Sequence, residues 1–146
     1  MSNLGVKRID HVALAVINLE AALLFYRDVL GITPSRILDF PAEGVKIAFL
    51  PVGGPQGSQI ELLEPVDQGS SIARFLQRQG EGMHHICLEV DNIEDALVRL
   101  RASGATVLDA APRPTAEGRG IFLHPRSTHG VLLELIERSS DNGAAG

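Results

Sequence analysis

The sequence predicts an α+β fold built from two copies of one β-α-β-β-β module, and three observations support this prediction. First, an apolar strand that opens with a histidine occurs twice, and superposing the two copies places His11 on His85. Second, each of these strands is followed at once by a helix that begins at an asparagine. Third, each copy ends in an aliphatic strand with one glutamate, Glu61 or Glu134. An internal repeat of this kind indicates two structural modules.

The first module begins with a strand at residues 9–16, where larger aliphatic residues alternate with a histidine and two alanines. A period of two is typical of a strand, and its second face is suited to line a site. Asn18 can cap the next helix, which we expect to end at Gly31. Prolines and glycines then separate three further strands, which we predict at residues 35–39, 45–50 and 58–63.

The second module repeats this order after a linker helix at about residues 70–80. Its helix runs from Asn92 to Gly104, and a polar, proline-containing loop occupies residues 110–118. The strands that follow the helix are predicted at residues 106–109, 120–124 and 131–136.

We interpret residues 1–146 as a single domain, because two half-length modules sharing one core bury more apolar surface than either does alone. Module one spans about residues 7–66 and module two about residues 83–138. Residues 139–146 are small and polar, which predicts a flexible tail.

Composition restricts the class of protein. A net charge of −5 argues against a nucleic-acid-binding protein, which needs a basic face. No apolar run approaches the roughly 20 residues of a membrane span. The single cysteine, Cys87, cannot form an internal disulfide and is interpreted as a small buried residue, which favours a cytoplasmic protein.

The repeated histidine and glutamate predict a metal site. The spacing from His11 to Glu61 is almost the same as the spacing from His85 to Glu134. Each glutamate lies among aliphatic residues, and a buried carboxylate needs a cation or strong hydrogen-bond donors. If the modules pack about a pseudo-twofold axis, two imidazoles and two carboxylates converge on one borderline divalent ion. Such an ion can keep two positions open for substrate oxygens, and a closed structural zinc site is the alternative.

Several segments carry a resemblance to a known family, above all EGMHHICLEVD, QIELLEP and FLHPRSTHGVLLEL. Over nearly its whole length the chain resembles the methylmalonyl-CoA epimerases of the vicinal oxygen chelate, or glyoxalase-like, superfamily. The resemblance implies that the two modules form one curved, cup-like mixed sheet, and that the protein is a homodimer. It implies a divalent metal ion, with cobalt or manganese favoured over zinc, nickel or iron. The implied ligands are His11, Glu61, His85 and Glu134.

The activity implied by the resemblance is metal-dependent epimerisation of a small-molecule acyl-CoA substrate. The family interconverts (2R)- and (2S)-methylmalonyl-CoA by proton transfer at C2 through a metal-stabilised enolate. Glu134 is the candidate for one acid/base group. The second is left open: a glutamate of some family members falls at Lys46, which could instead hold the substrate carboxylate, and Glu43 lies in a nearby turn.

Other functions stay open at this point. They are a glyoxalase I-type lyase or isomerase, an extradiol dioxygenase, a metal-free small-molecule-binding module, and an epimerase of a related acyl-CoA such as ethylmalonyl-CoA. Ethylmalonyl-CoA has one methylene more than methylmalonyl-CoA, and an apolar pocket discriminates between such substrates by only about 1–3 kcal/mol. We interpret the remaining histidines, His84, His124 and His129, as packing or structural residues.

Overall fold

A computed structural model describes residues 3–54 and 56–139 of the chain. The chain divides into two compact units. The first unit is His11–His84, and the second unit joins Met1–Asp10 to His85–Gly146. Both divisions fall immediately before a repeat histidine, so the units follow the repeat found in the sequence. The single-domain organisation stays a prediction, and the predicted tail lies outside the described residues apart from Ser139.

The first unit contains a four-stranded sheet in the order β2-β3-β4-β1. β1 runs parallel to β4, and the other two pairings are antiparallel. The predicted strands are confirmed, with bounds that differ by at most two residues. The elements are β1 (Arg8–Ala15, whose last five residues belong to this unit), α1 (Leu19–Tyr26), β2 (Arg36–Phe40), β3 (Val45–Val52), β4 (Ser58–Pro65) and α2 (Ser71–Gln79), with a short 3-10 helix at Pro41–Glu43.

Helix α1 is shorter than predicted. It ends at Tyr26 rather than at Gly31. The amide of Asp28 bonds to the Leu23 carbonyl, five residues earlier, at 3.2 Å, and the amide of Leu30 bonds to the Phe25 carbonyl at 2.9 Å. Hydrogen bonds of this span widen the turn beyond the α-helical pattern, so the regular helix stops one turn early.

The second unit repeats the arrangement in the strand order β5-β8-β7-β6. β5 runs parallel to β8, and the remaining pairings are antiparallel. Its elements are β5 (Gly82–Glu89, whose last five residues belong to this unit), α3 (Ile93–Ala102), β6 (Arg113–Pro114), β7 (Gly118–Leu123) and β8 (Leu133–Arg138), with a 3-10 helix at Pro125–Ser127.

The prediction of a strand at residues 106–109 was wrong. Val107 forms only an isolated bridge with Leu123. The backbone N–H of Phe122 then donates to the side-chain carboxylate of Asp109 at 2.6 Å. This carboxylate takes the place of the backbone carbonyl that would continue the strand pairing. The strand at this edge forms later instead, at β6, inside the segment predicted to be a loop.

Both long helices that follow the histidine strands are capped twice. Asn18 and Asn92 act as predicted, since each side-chain oxygen accepts the N–H three residues later at 2.8 Å. A glutamate from the last strand of each unit adds a second acceptor. Glu64 accepts the first helical N–H of α1, and Glu137 accepts that of α3, both at 2.9 Å. A carboxylate at a helix N-terminus also interacts favourably with the helix dipole.

Each unit packs its helix against one face of its sheet. These faces form two hydrophobic cores, with Val16, Leu19, Leu23, Ala48, Leu50 and Leu62 in the first unit and Val90, Ile93, Ala96, Leu97, Ile121, Leu123 and Leu135 in the second. The opposite faces carry the predicted site residues. Within the described residues, no helix has the length and apolar character needed to cross a membrane.

Candidate metal centre and active site

His11 and Glu61 form a buried pair in the first unit. Strand β1 places Ala13, two residues after His11, directly opposite Glu61 of β4. Alternation along both strands therefore puts the two side chains on the face opposite α1. His11 Nδ1 lies 3.1 Å from Glu61 Oε2, and the side chains are 1% and 5% exposed.

His85 and Glu134 form the matching pair in the second unit. Cys87, two residues after His85 and fully buried, lies opposite Glu134 of β8. The register of the first unit is thus reproduced. His85 Nε2 lies 3.2 Å from Glu134 Oε1, and the side chains are 7% and 6% exposed. The structure therefore brings each predicted histidine to its own predicted glutamate, while the four-residue ligand set stays a prediction.

A phenylalanine and an arginine accompany each pair. Phe49 lies opposite Glu61 in the first unit, and the guanidinium carbon of Arg36 is 4.5 Å from the centre of its ring. Phe122 lies opposite Glu134 in the second unit, and the guanidinium carbon of Arg113 is 4.4 Å from the centre of its ring. Guanidinium groups stack favourably on aromatic faces.

Sequence reasoning missed these arginine–phenylalanine pairs. A signal for the aromatic partners was present, because Phe49 and Phe122 have the same separation in the sequence as Glu61 and Glu134. The ring of Phe122 also makes an edge-to-face contact with His85, with ring centres 5.1 Å apart. The aromatic residue of this unit therefore contacts both a candidate ligand and an arginine.

A buried acidic residue adjoins the first histidine. Asp10 is fully buried in the second unit, and its Oδ1 lies 2.6 Å from Arg138 Nε and 3.2 Å from Arg8 Nη2. Burial opposes the charge on Arg138, but the hydrogen bond and attraction to Asp10 outweigh it and raise the pKa of this guanidinium. Two arginines thus compensate the buried carboxylate.

The other histidines occupy structural positions. The His84 ring contacts Phe75 edge-to-face, with ring centres 5.0 Å apart, as expected for a packing residue. His124 caps the second 3-10 helix by accepting the N–H of Arg126 at 2.9 Å. His129 has a positive φ of 62° in the turn before β8.

Lys46 does not share a strand face with Glu61. It lies opposite Glu64 in the β3–β4 register, and the Glu64 carboxylate caps α1. Phe49, three residues later, lies opposite Glu61 on the other face. Because side chains alternate along a strand, Lys46 belongs to the helix-covered face. The suggestion that Lys46 holds a substrate carboxylate beside Glu61 is therefore not supported.

The donor atoms suit a divalent metal ion. Each pair combines an imidazole nitrogen with a carboxylate oxygen, the donor types that bind borderline divalent cations. All four side chains are almost fully buried, so ionised Glu61 and Glu134 need compensating positive charge. Arg113 supplies part of it to Glu134, with its Nη2 3.1 Å from Oε2. Each unit therefore offers one candidate ligand pair, His11 with Glu61 and His85 with Glu134.

Comparison with known proteins gives consistent results. Residues 10–122 match the family model of the Glyoxalase/Bleomycin resistance protein/Dioxygenase superfamily. The chain is 43% identical over 135 residues to mitochondrial methylmalonyl-CoA epimerase of Homo sapiens, covering 91% of this chain and 74% of that protein. It is 43% identical over 131 residues to the ethylmalonyl-CoA/methylmalonyl-CoA epimerase of Cereibacter sphaeroides, covering 88% and 96%.

A solved structure shows the same fold. A variant of Streptomyces coelicolor methylmalonyl-CoA epimerase, in complex with 2-nitronate-propionyl-CoA, superposes with a TM-score of 0.88 at 33% identity. The match covers 93% of this chain and all of that one. The predicted α+β glyoxalase-like fold is thereby confirmed.

Proposed function

The chain belongs to the glyoxalase/bleomycin resistance protein/dioxygenase superfamily and, within it, to the methylmalonyl-CoA epimerases, and from this premise we propose that it epimerises methylmalonyl-CoA at C2. The observation that carries the proposal is the buried histidine–glutamate pair that recurs in identical register in both units. An extradiol dioxygenase would need only two histidines and one carboxylate.

We propose that His11, Glu61, His85 and Glu134 together hold one divalent ion, with cobalt or manganese favoured. A divalent ion, when bound, stabilises negative charge on a substrate oxygen. Support comes from the donor types, from the burial of the four side chains and from membership of the family.

Two adjacent histidines provide a matched test of this ligand set. His85→Asn removes a proposed ligand, whereas His84→Asn removes a ring that packs on Phe75. Metal content after dialysis is expected to fall from about one ion per chain to a small fraction in the first variant and to stay near wild type in the second. Equal metal content in both variants would contradict the ligand set.

Glu134 is the group that we assign to proton transfer at C2. A carboxylate has two oxygens and about four acceptor sites, so contacts to His85 and to an arginine still leave Glu134 able to accept a proton. Removal of the C2 proton and its return to the opposite face invert the centre. The group on the opposite face is a residue other than Lys46, because Lys46 lies on the helix-covered side of its strand.

The substrate that we propose is an acyl-CoA ester of a 2-alkylmalonate. The Cereibacter sphaeroides relative is named for both ethylmalonyl-CoA and methylmalonyl-CoA, and the extra methylene changes binding by only about 1–3 kcal/mol. We further propose a cytoplasmic homodimer, on the basis of the single cysteine and of the family.

Stereochemical conversion tests the proposed activity. The protein, reconstituted with cobalt or manganese, is incubated with (2S)-methylmalonyl-CoA, (2S)-ethylmalonyl-CoA or the hemithioacetal of glutathione and methylglyoxal. Appearance of the (2R) ester of methylmalonyl-CoA is the expected result, with slower conversion of the ethyl ester. Conversion of the hemithioacetal alone would assign the protein to the glyoxalase I reaction instead.

A further inference from the structure

Arg113 is held by three neighbours within the second unit. Its guanidinium carbon lies 4.4 Å from the centre of the Phe122 ring. Its Nε lies 3.2 Å from Asp109 Oδ1, and its Nη2 lies 3.1 Å from Glu134 Oε2. One face and two edges of the planar group are therefore occupied, which is a geometry that lysine cannot reproduce.

Asp109, which forms an ion pair with Arg113, is itself hydrogen-bonded to the sheet. Asp109 Oδ2 accepts the backbone N–H of Phe122 at 2.6 Å. Phe122 in turn lies opposite Glu134 in the β7–β8 register. Phe122 therefore connects Asp109 to the strand pair that carries Glu134. Arg113 could turn toward another partner only by giving up its contacts with Asp109, Phe122 and Glu134.

The carboxylate of Glu134 is consequently held from two sides. Oε1 faces His85 Nε2 at 3.2 Å, and Oε2 faces Arg113 Nη2 at 3.1 Å. Rotation of the carboxylate plane would weaken both contacts. Each oxygen still has a further acceptor site, so the plane is fixed without blocking the group.

We propose that Arg113 is a positioning residue, which orients the Glu134 carboxylate for proton transfer, and that Asp109 acts through Arg113. This inference deepens the proposed function, because it assumes that Glu134 exchanges the C2 proton. An error of about 1 Å in the position of a reacting group can lower a rate about 10²-fold. The loss of Arg113 should therefore appear in kcat.

Steady-state kinetics of a small set of variants test the proposal. Arg113→Met is expected to lower kcat about 10²-fold and to change KM less than about threefold. Arg113→Lys should recover part of the loss, since lysine restores the charge but not the planar fork. Arg119→Met is the matched control, because Arg119 pairs with Glu94 and Glu137 and is 45% exposed; its kcat should match wild type.

A double-variant cycle separates positioning from general destabilisation. If Asp109 acts through Arg113, the Asp109→Asn/Arg113→Met variant should be no slower than Arg113→Met alone. Independent losses that multiply would contradict this part of the proposal. A wild-type kcat in Arg113→Met, or a loss confined to KM, would overturn the positioning role.

A spectroscopic readout makes the test independent of turnover. In the metal-free protein, nitrogen-15 NMR should show slow rotation of the Arg113 guanidinium about its Nε–Cζ bond, and faster rotation in Glu134→Gln and Asp109→Asn. Unchanged rotation in both variants would overturn the inference. If the wild-type protein shows the slow rotation but does not exchange the C2 proton, the proposed function fails and the positioning contact stands.

Discussion

Asp10→Asn removes one negative charge from a fully buried position and leaves the side chain almost the same size. The carboxylate oxygen Oδ1 lies 2.6 Å from Arg138 Nε and 3.2 Å from Arg8 Nη2. In the variant, the amide oxygen can still accept a hydrogen bond. The two guanidinium groups, however, then lose the anion between them.

The expected loss of stability follows from these surroundings. Removing one partner of a buried ion pair costs about 3–5 kcal/mol. The Arg8 and Arg138 side chains are 28% and 24% exposed, so water compensates part of their charge. Arg8 also keeps Glu89, whose Oε1 lies 2.9 Å from its Nε. We therefore expect a loss of about 3 kcal/mol, which lowers the Tm by about 6–12 °C for a chain of this size.

Urea unfolding followed by circular dichroism measures the effect as a lower midpoint at an unchanged slope. Asp91→Asn is the matched control, since this carboxylate pairs with Lys7 at 3.2 Å but is 73% exposed. The control should change stability by less than about 0.5 kcal/mol. Equal midpoints for the two variants would refute the reasoning about the buried charge.

Three further predictions concern the helix termini, the active site and acid stability. Asn18→Ala and Asn92→Ala should each lower the free energy of unfolding by about 1 kcal/mol, with serine at either position restoring most of the loss in chemical denaturation. Glu134→Gln should lose C2 proton exchange more completely than metal, and a variant that exchanges at the wild-type rate would exclude Glu134 as the base. The hydrogen bond from Arg119 lowers the pKa of Glu94 below its usual 4.5. This pair therefore stabilises the fold above pH 4.5 and loses its effect as the pH falls through the lower folded value, so Arg119→Met should reduce the acid-induced loss of stability in a pH titration followed by circular dichroism.

The repeat explains why much of the fold was predictable. The repeat, together with the strand period of two, places His11 and His85 at equivalent positions. The same alignment of the two copies identified the two asparagine caps, because a cap depends on residues only three positions apart. These are local patterns, which a sequence displays directly.

Long-range side-chain contacts were not predictable in the same way. Arg36 and Arg113 occupy equivalent positions over their phenylalanines, yet they are further apart in the sequence than the phenylalanines are. The loops before them differ in length, so a fixed offset does not align them. β6 was missed because its position also depends on a long-range side-chain contact. The hydrogen bond between Asp109 and the Phe122 backbone ends the pairing that begins at Val107, so the edge strand forms later in the chain.

The strand face of Lys46 bears on a role that the sequence left open. The resemblance to the family suggested a role for Lys46 at the site, as the expected counterpart of a glutamate in some members. The strand register instead pairs it with Glu64, whose carboxylate caps α1. Motif position alone does not fix the face of a strand, because a shift of one residue moves a side chain to the other face.

Deuterium uptake at C2 of methylmalonyl-CoA in D2O, followed by NMR, tests the central claim most directly. The protein is measured after chelation and again after one equivalent of cobalt or manganese is restored. We predict rapid exchange that depends on the restored metal. Protein that demonstrably holds the metal and yet leaves the C2 proton in place would contradict the assignment of both the reaction and its site.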